Sequence, residues 1–69
     1  MEIRTYSKKE LAIAYAPNIS MVAALNRLAL WLKTNRQLWE QLTQTGYRTT
    51  QRYFTPGQVK LIFEYIGEP

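Results

Sequence analysis

Gly46-Tyr47-Arg48-Thr49-Thr50-Gln51-Arg52-Tyr53-Phe54-Thr55-Pro56-Gly57-Gln58 is the stretch on which the fold turns. Gly46 can stop a helix, because glycine enters the left-handed region that other residues avoid. The run that follows is β-branched, aromatic and basic, which suits extended backbone. Thr55-Pro56-Gly57-Gln58 then starts a new helix: threonine caps, proline takes the first helical position where its missing amide costs nothing, and glutamine closes the capping box. Phe54 stands where it can staple onto Val59. The stretch therefore reads as a helix stop, an extended basic ribbon and a helix start.

Downstream, the last helix runs from Pro56 to about Ile66, with Val59, Ile62, Phe63 and Ile66 on one face and Gly67 at its end. Leu61 and Tyr65 lie toward the other side, where they are either half exposed or meet a partner, and the short chain favours the partner. Upstream, Thr34-Asn35-Arg36-Gln37 offers a Thr-x-x-Gln box, so a helix is expected from Asn35 or Arg36 to Gln44, burying Leu38, Leu42 and Trp39. Tyr47 is placed to fold back on Leu42 in a Schellman ending at Gly46.

The second helix is expected over Met21 to Lys33. At 100° per residue, Met21, Val22, Ala24, Leu25, Leu28, Ala29, Trp31 and Leu32 make one wide apolar face. Ala23, Asn26, Arg27, Leu30, Lys33 and Thr34 make the other, and Leu30 is either a lone surface leucine or a contact to a second subunit. Pro17-Asn18-Ile19-Ser20 is a tight turn with Asn18 or Ser20 as the cap and Ile19 packed beneath. Ser7-Lys8-Lys9-Glu10 is a further capping box, opening a first helix from Lys8 to Tyr15 with Leu11, Ala14 and Tyr15 inside. Glu2 to Tyr6 alternates with period two, which predicts an edge strand with Ile3 facing inward, paired with Gln51 to Phe54. The expectation is a single mostly α domain over residues 1–69: four short helices in a helix-turn-helix-like arrangement, with a small two-stranded element joining the N-terminus to residues 51–54.

With 69 residues and no cysteine, neither disulfides nor thiolate metal sites can supplement the core. Nothing resembles a signal peptide or approaches the roughly 20 apolar residues of a membrane span. A soluble, cytoplasmic protein without a membrane partner is expected. All five acids are glutamates and histidine is absent. The side chains that usually activate nucleophiles, shuttle protons or bind metals are thus mostly missing, so no enzyme, cofactor, metal or small-molecule substrate is expected. Glu10 has a capping role, Glu64 pairs with Lys60 at i, i+4, and Glu40 has no carboxylate partner. Trp31 and Trp39 are read as core or interface anchors.

The net charge of +4 is unevenly placed. Arg27, Lys33, Arg36, Arg48 and Arg52 face Glu40 alone in the middle of the chain, while the remaining cations and glutamates balance. Lysine and arginine neutralise phosphates, and a helix-turn-helix can put its second helix in a major groove, where asparagine reads adenine and arginine reads guanine. Lys8, Lys9, Asn26, Arg27, Lys33, Arg36, Arg48 and Arg52 are accordingly the expected DNA contacts. Tyr47 and Tyr53 join Arg48 and Arg52 in a basic and aromatic ribbon; alternatively the charges serve solubility and the two tyrosines lie in the core. The rival expectation is a non-catalytic interaction module, a homodimer or a complex with another protein, using Leu30, Leu61 and Tyr65.

Two resemblances accompany these readings. Ser7 to Ala12, Ile19-Ser20, Gly46-Tyr47-Arg48 and Arg52-Tyr53-Phe54-Thr55 resemble the winged helix-turn-helix of MerR-type regulators and phage excisionases, with the third helix standing where the wing would begin. That resemblance implies DNA binding. Tyr6-Ser7-Lys8, Glu10-Leu11-Ala12, Pro17 with Ile19-Ser20, Ala24-Leu25, Leu28, Trp31, Gly46-Tyr47-Arg48, Gln51-Arg52, Phe54-Thr55-Pro56, Gln58-Val59, Leu61-Ile62 and Gly67-Glu68-Pro69 resemble, along the whole chain, a family of short bacterial proteins catalogued as a domain of unknown function. This second resemblance implies a self-contained domain and no particular activity.

Overall fold

The computed structural model describes all residues from Met1 to Pro69. In chain order the elements are β1 (Tyr6–Ser7), α1 (Lys8–Tyr15), α2 (Met21–Thr34), α3 (Arg36–Gln44), β2 (Tyr53–Phe54) and α4 (Pro56–Ile66). The chain is mostly helical, as expected, and no helix is long and apolar enough to cross a membrane.

The helix ends follow local chemistry. Ser7, Ser20 and Thr55 accept from the amides of Glu10, Ala23 and Gln58, and Thr55 with Gln58 forms the complete box expected there. Gly46 has φ 90°, and the Gly46 and Tyr47 amides donate to the Thr43 and Leu42 carbonyls, which is a Schellman ending. Two other boxes differ from expectation. The Glu10 carboxylate is held chiefly by Arg4 at 2.8 Å, and the Ser7 amide is only a lesser contributor to its lowered pKa. At α3 the cap is Asn35, which accepts from the Leu38 amide at 3.1 Å, while the Thr34 hydroxyl donates back to the Leu30 carbonyl. Thr34 is the last residue of α2, and its hydroxyl bonds back to the Leu30 and Trp31 carbonyls of that helix instead of capping the next one.

The N-terminal strand is shorter and later than its alternation predicts. Only Tyr6 and Ser7 pair, antiparallel to Phe54 and Tyr53, and Ile3 is 49% exposed. Ile3 and Tyr6 have opposite parity, so a strand can send only one of them inward. The tyrosine has more apolar area to bury, and its hydroxyl still reaches a partner by donating to the Glu2 carbonyl at 2.8 Å.

The core is one cluster built from Tyr6, Leu11, Ala12, Ala24, Leu28, Leu32, Leu38, Leu42, Tyr47, Phe54, Val59, Ile62 and Phe63, with Ala16 at its edge. Aromatic rings knit its parts: Tyr47 stacks on Phe54 with centroids 5.6 Å apart, and Trp39 and Trp31 meet Tyr47 and Tyr15 edge-on, both at 5.9 Å. On α2 the buried stripe is Ala24, Leu28 and Leu32 only. Val22 and Ala29, expected on the apolar face, are exposed, because α1 and α3 cover one side of that helix and nothing in the chain covers the rest. On α1, Ala12 joins Leu11 as fully buried, while Ala14 and Tyr15 are half-buried.

Gln58 is the buried polar residue, 2% exposed. Its carbonyl oxygen accepts from the Thr55 amide (3.0 Å) and from Gln51 Nε2 (2.7 Å), and its own Nε2 donates to the Thr45 hydroxyl (2.9 Å). One side chain thus joins the end of α3, the ribbon and the start of α4. Gln58→Ala removes half of a capping box and strands the polar groups around it, so a loss of about 2–3 kcal/mol is expected from urea unfolding.

At the other end of the molecule the Tyr15 hydroxyl donates to the Gly67 carbonyl. Burial, and next the charge of Glu68, push that hydroxyl up to about 12. The folded chain holds this proton more tightly than the unfolded chain, whose tyrosines titrate near 10. Its contribution to stability is therefore complete below about pH 10 and lost as the pH rises toward about 12. Urea midpoints measured across that window should fall more steeply for the native chain than for Tyr15→Phe.

Candidate functional site

Pairing of β1 with β2 brings the start of α1 against the ribbon. The Lys8 amide donates to the Arg52 carbonyl at 2.9 Å, extending the ladder by one bond. Between Ser7–Lys9 and Thr49–Tyr53 lies an open depression of about 580 Å³, with Leu25 of α2 completing its wall. A smaller hollow of about 80 Å³ adjoins it, shares Lys8 and Thr49 with it, and adds Ala29 and Lys33 of α2 beside Trp39 and Tyr47. Lys8, Lys9, Arg52 and Lys33 thereby converge from three parts of the chain, and neither wall contains a carboxylate.

The ribbon's shape comes from Gln51. Its Nε2 donates to the Tyr53 carbonyl (2.5 Å) and to Gln58, and its own amide donates to the Arg48 carbonyl (3.0 Å). The result is a tight loop that turns Thr49 and Thr50 toward α1, held from beneath by the buried amide of Gln58. Lys8 ties the loop from the other side: its Nζ donates to the Thr49 carbonyl at 2.6 Å and sits 5.0 Å from the centroid of the Tyr47 ring. Partial burial of the ammonium, without a carboxylate partner, lowers its pKa from the usual lysine value.

The chain's two ion pairs lie elsewhere. Arg4 takes Glu10, and the N-terminal ammonium takes Glu68. The first raises the Arg4 pKa and lowers that of Glu10, in both cases through the hydrogen bond between them. It also neutralises the carboxylate next in sequence to Lys9. Lys9, Lys33 and Arg52 are exposed cations with no anionic partner.

The other expected contacts are less gathered. Arg27 sits about 160° around α2 from Ala29, so it points away from the hollow that Ala29 lines. Asn26 is exposed on the stripe of Ala29 and Lys33 and lines neither hollow. Arg36 is exposed at the start of α3, and Arg48 is exposed beside Thr49; neither lines the depression. Among the expected interface residues, Leu30 is 59% exposed, but Leu61 and Tyr65 are half-buried against the chain's own core, and the Tyr65 hydroxyl accepts from Gln41 at 2.5 Å.

Sequence reasoning missed the polar wall, formed by Ser7, Thr49, Thr50 and Gln51, and left Tyr53 between the ribbon's surface and the core, favouring the core. Strand alternation carries the missing signal: with Phe54 inward, Tyr53 must face out, and it is 59% exposed. No three His, Cys, Asp or Glu side chains come together as a metal-binding group.

The chain belongs to a family described as a domain of unknown function (DUF4248), whose family model matches residues 2–69. No curated protein and no solved structure matches it.

Proposed function

We propose that this DUF4248 domain is a small, non-catalytic DNA-binding protein that holds phosphates in the basic depression between α1 and the ribbon. The observation that carries the reading is the gathering of Lys8, Lys9, Lys33 and Arg52 around hydroxyl-bearing walls from which carboxylates are absent. Phosphate oxygens accept hydrogen bonds from lysine, arginine, serine and threonine side chains, and this wall offers each of those donors. Lys9, Lys33 and Arg52 reach out as free charges, whereas Lys8 has its ammonium committed to the loop and contributes mainly field. Asn26 and Arg48 flank the depression and extend the contact along a strand. Arg27 lies on the far side of α2 and is not part of it.

The order of α1, a tight turn and α2 is the layout in which a second helix enters a groove. Its outer face carries Val22, Ala23, Ala29 and Leu30 among few polar groups, so phosphate contact accounts for this surface better than base reading by α2 does. Retention on DNA should weaken by roughly 100-fold between about 50 and 200 mM salt if some four phosphates are neutralised. Lys9→Glu with Arg52→Glu should abolish it, with helical content unchanged by circular dichroism. Arg27→Glu should leave affinity within about threefold. No retention at low salt would refute the reading.

A second reading, self-association through α2, is favoured by Val22 and Leu30, which are 69% and 59% exposed. It predicts a dimer mass by light scattering that Leu30→Lys returns to a monomer; a monomer at all concentrations excludes it.

A further inference from the structure

Four of the five tyrosines are engaged within the fold. Tyr6 packs against Phe63, Tyr15 against Trp31, and Tyr47 against Trp39 and Phe54, while Tyr65 receives the Gln41 amide. Tyr53 is the fifth. Its ring has no aromatic neighbour, it is 59% exposed, and it lines the same depression as Lys9 and Arg52. Leu25 is the other apolar group in that wall. A flat ring is therefore displayed beside free cations and hydroxyls, on a strand whose backbone is held on one side by the Ser7 pairing and on the other by Gln51.

Resting on the phosphate-contact reading, we infer that the preferred partner is an unpaired nucleic-acid strand, with one base stacked on Tyr53 while Lys9 and Arg52 hold the flanking phosphates. In a duplex both faces of each base are already covered by neighbours, and the ring would have nothing to stack on. An unpaired base has a free face, and aromatic stacking beside a cationic groove is how such strands are held without sequence preference. The volume of the depression lies within the range of about 300–1,000 Å³ that ligand sites occupy, enough for one nucleotide. The base would meet Tyr53 on one face and approach Leu25 at its edge.

The test is fluorescence anisotropy at one low salt concentration with three labelled probes: an oligodeoxyuridylate, an oligouridylate of equal length, and a mixed-sequence DNA duplex. At least one single strand should bind more tightly than the duplex, and the stronger of the two identifies the sugar. Tyr53→Ala should weaken single-strand binding by roughly tenfold or more and leave the duplex unaffected, while Tyr53→Phe, which keeps the ring, should bind as the native chain does. If Tyr53→Ala loses its helical circular-dichroism signal, Tyr53→Leu keeps the bulk without the aromatic face and serves in its place. Equal binding of single and double strands, or no effect of removing the ring, overturns the inference while the phosphate reading stands. Absence of binding to all three probes overturns both.

Discussion

The buried amide of Gln58 is the constraint around which the rest of the chain is arranged. Its carbonyl and amino groups meet partners from three segments separated in sequence, and every buried side-chain polar atom in the molecule has a hydrogen-bond partner. A buried amide is unfavourable unless satisfied, so the network admits one relative placement of the α3 terminus, the ribbon and the α4 terminus. In a core this small, apolar packing supplies cohesion but tolerates several arrangements. The polar hub selects among them. Through Gln51 the same selection sets the loop from Arg48 to Tyr53, which forms one wall of the basic depression.

That dependence explains how a sheet of two residue pairs persists. Two-stranded elements are marginal in water on their own. Here the pairing is flanked by rings on the inner side, Tyr6 and Phe54 both fully enclosed, and by the Lys8 tether on the outer side. Burying each ring contributes about 2–3 kcal/mol, more than the hydrogen bonds of so short a ladder. The sheet is thus a consequence of core packing, and the position of the cations is a consequence of the sheet. One ion pair helps by occupying a nearby carboxylate: Glu10 would lie one residue from Lys9 with its charge open, but Arg4 takes it.

What could be read from the sequence was whatever depends on neighbours within about four residues. The Thr55-to-Gln58 box, the Ser20 cap and the Schellman glycine at Gly46 are local hydrogen-bond arrangements, and the residues that make them stand side by side in the chain. The N-terminal pairing partner was also legible, since only one other stretch had extended character. Its register was not, because Ile3 and Tyr6 compete for the interior and the outcome depends on a cavity formed by α4 and the ribbon. Gln58 was recognised as a capping residue but not as a buried hub, for Thr45 lies thirteen positions away. Among the cations, those of the ribbon and of α1 could be brought together by arguing for the strand pairing. The separation of Arg27 from them required knowing which stripe of α2 faces inward, and the apolar pattern of that helix is too wide to say.

Strand alternation divides the adjacent aromatics Tyr53 and Phe54 between two roles. Phe54 is enclosed completely and contributes to the core as much as any residue in the chain. Tyr53 contributes little to it, and the outward position on a short edge strand is one where threonine or a charged residue would pair equally well with Ser7 and keep the surface more polar. The ring at that position suits extended backbone, adds little to the core and stands beside Lys9 and Arg52. Because the backbone beneath it is fixed by Gln51, and Gln51 by Gln58, the ring is presented at a set distance from the cations. The enclosure of Phe54 and the display of Tyr53 then rest on the same hydrogen bonds, so the chain can present an aromatic surface without leaving the loop that carries it loose.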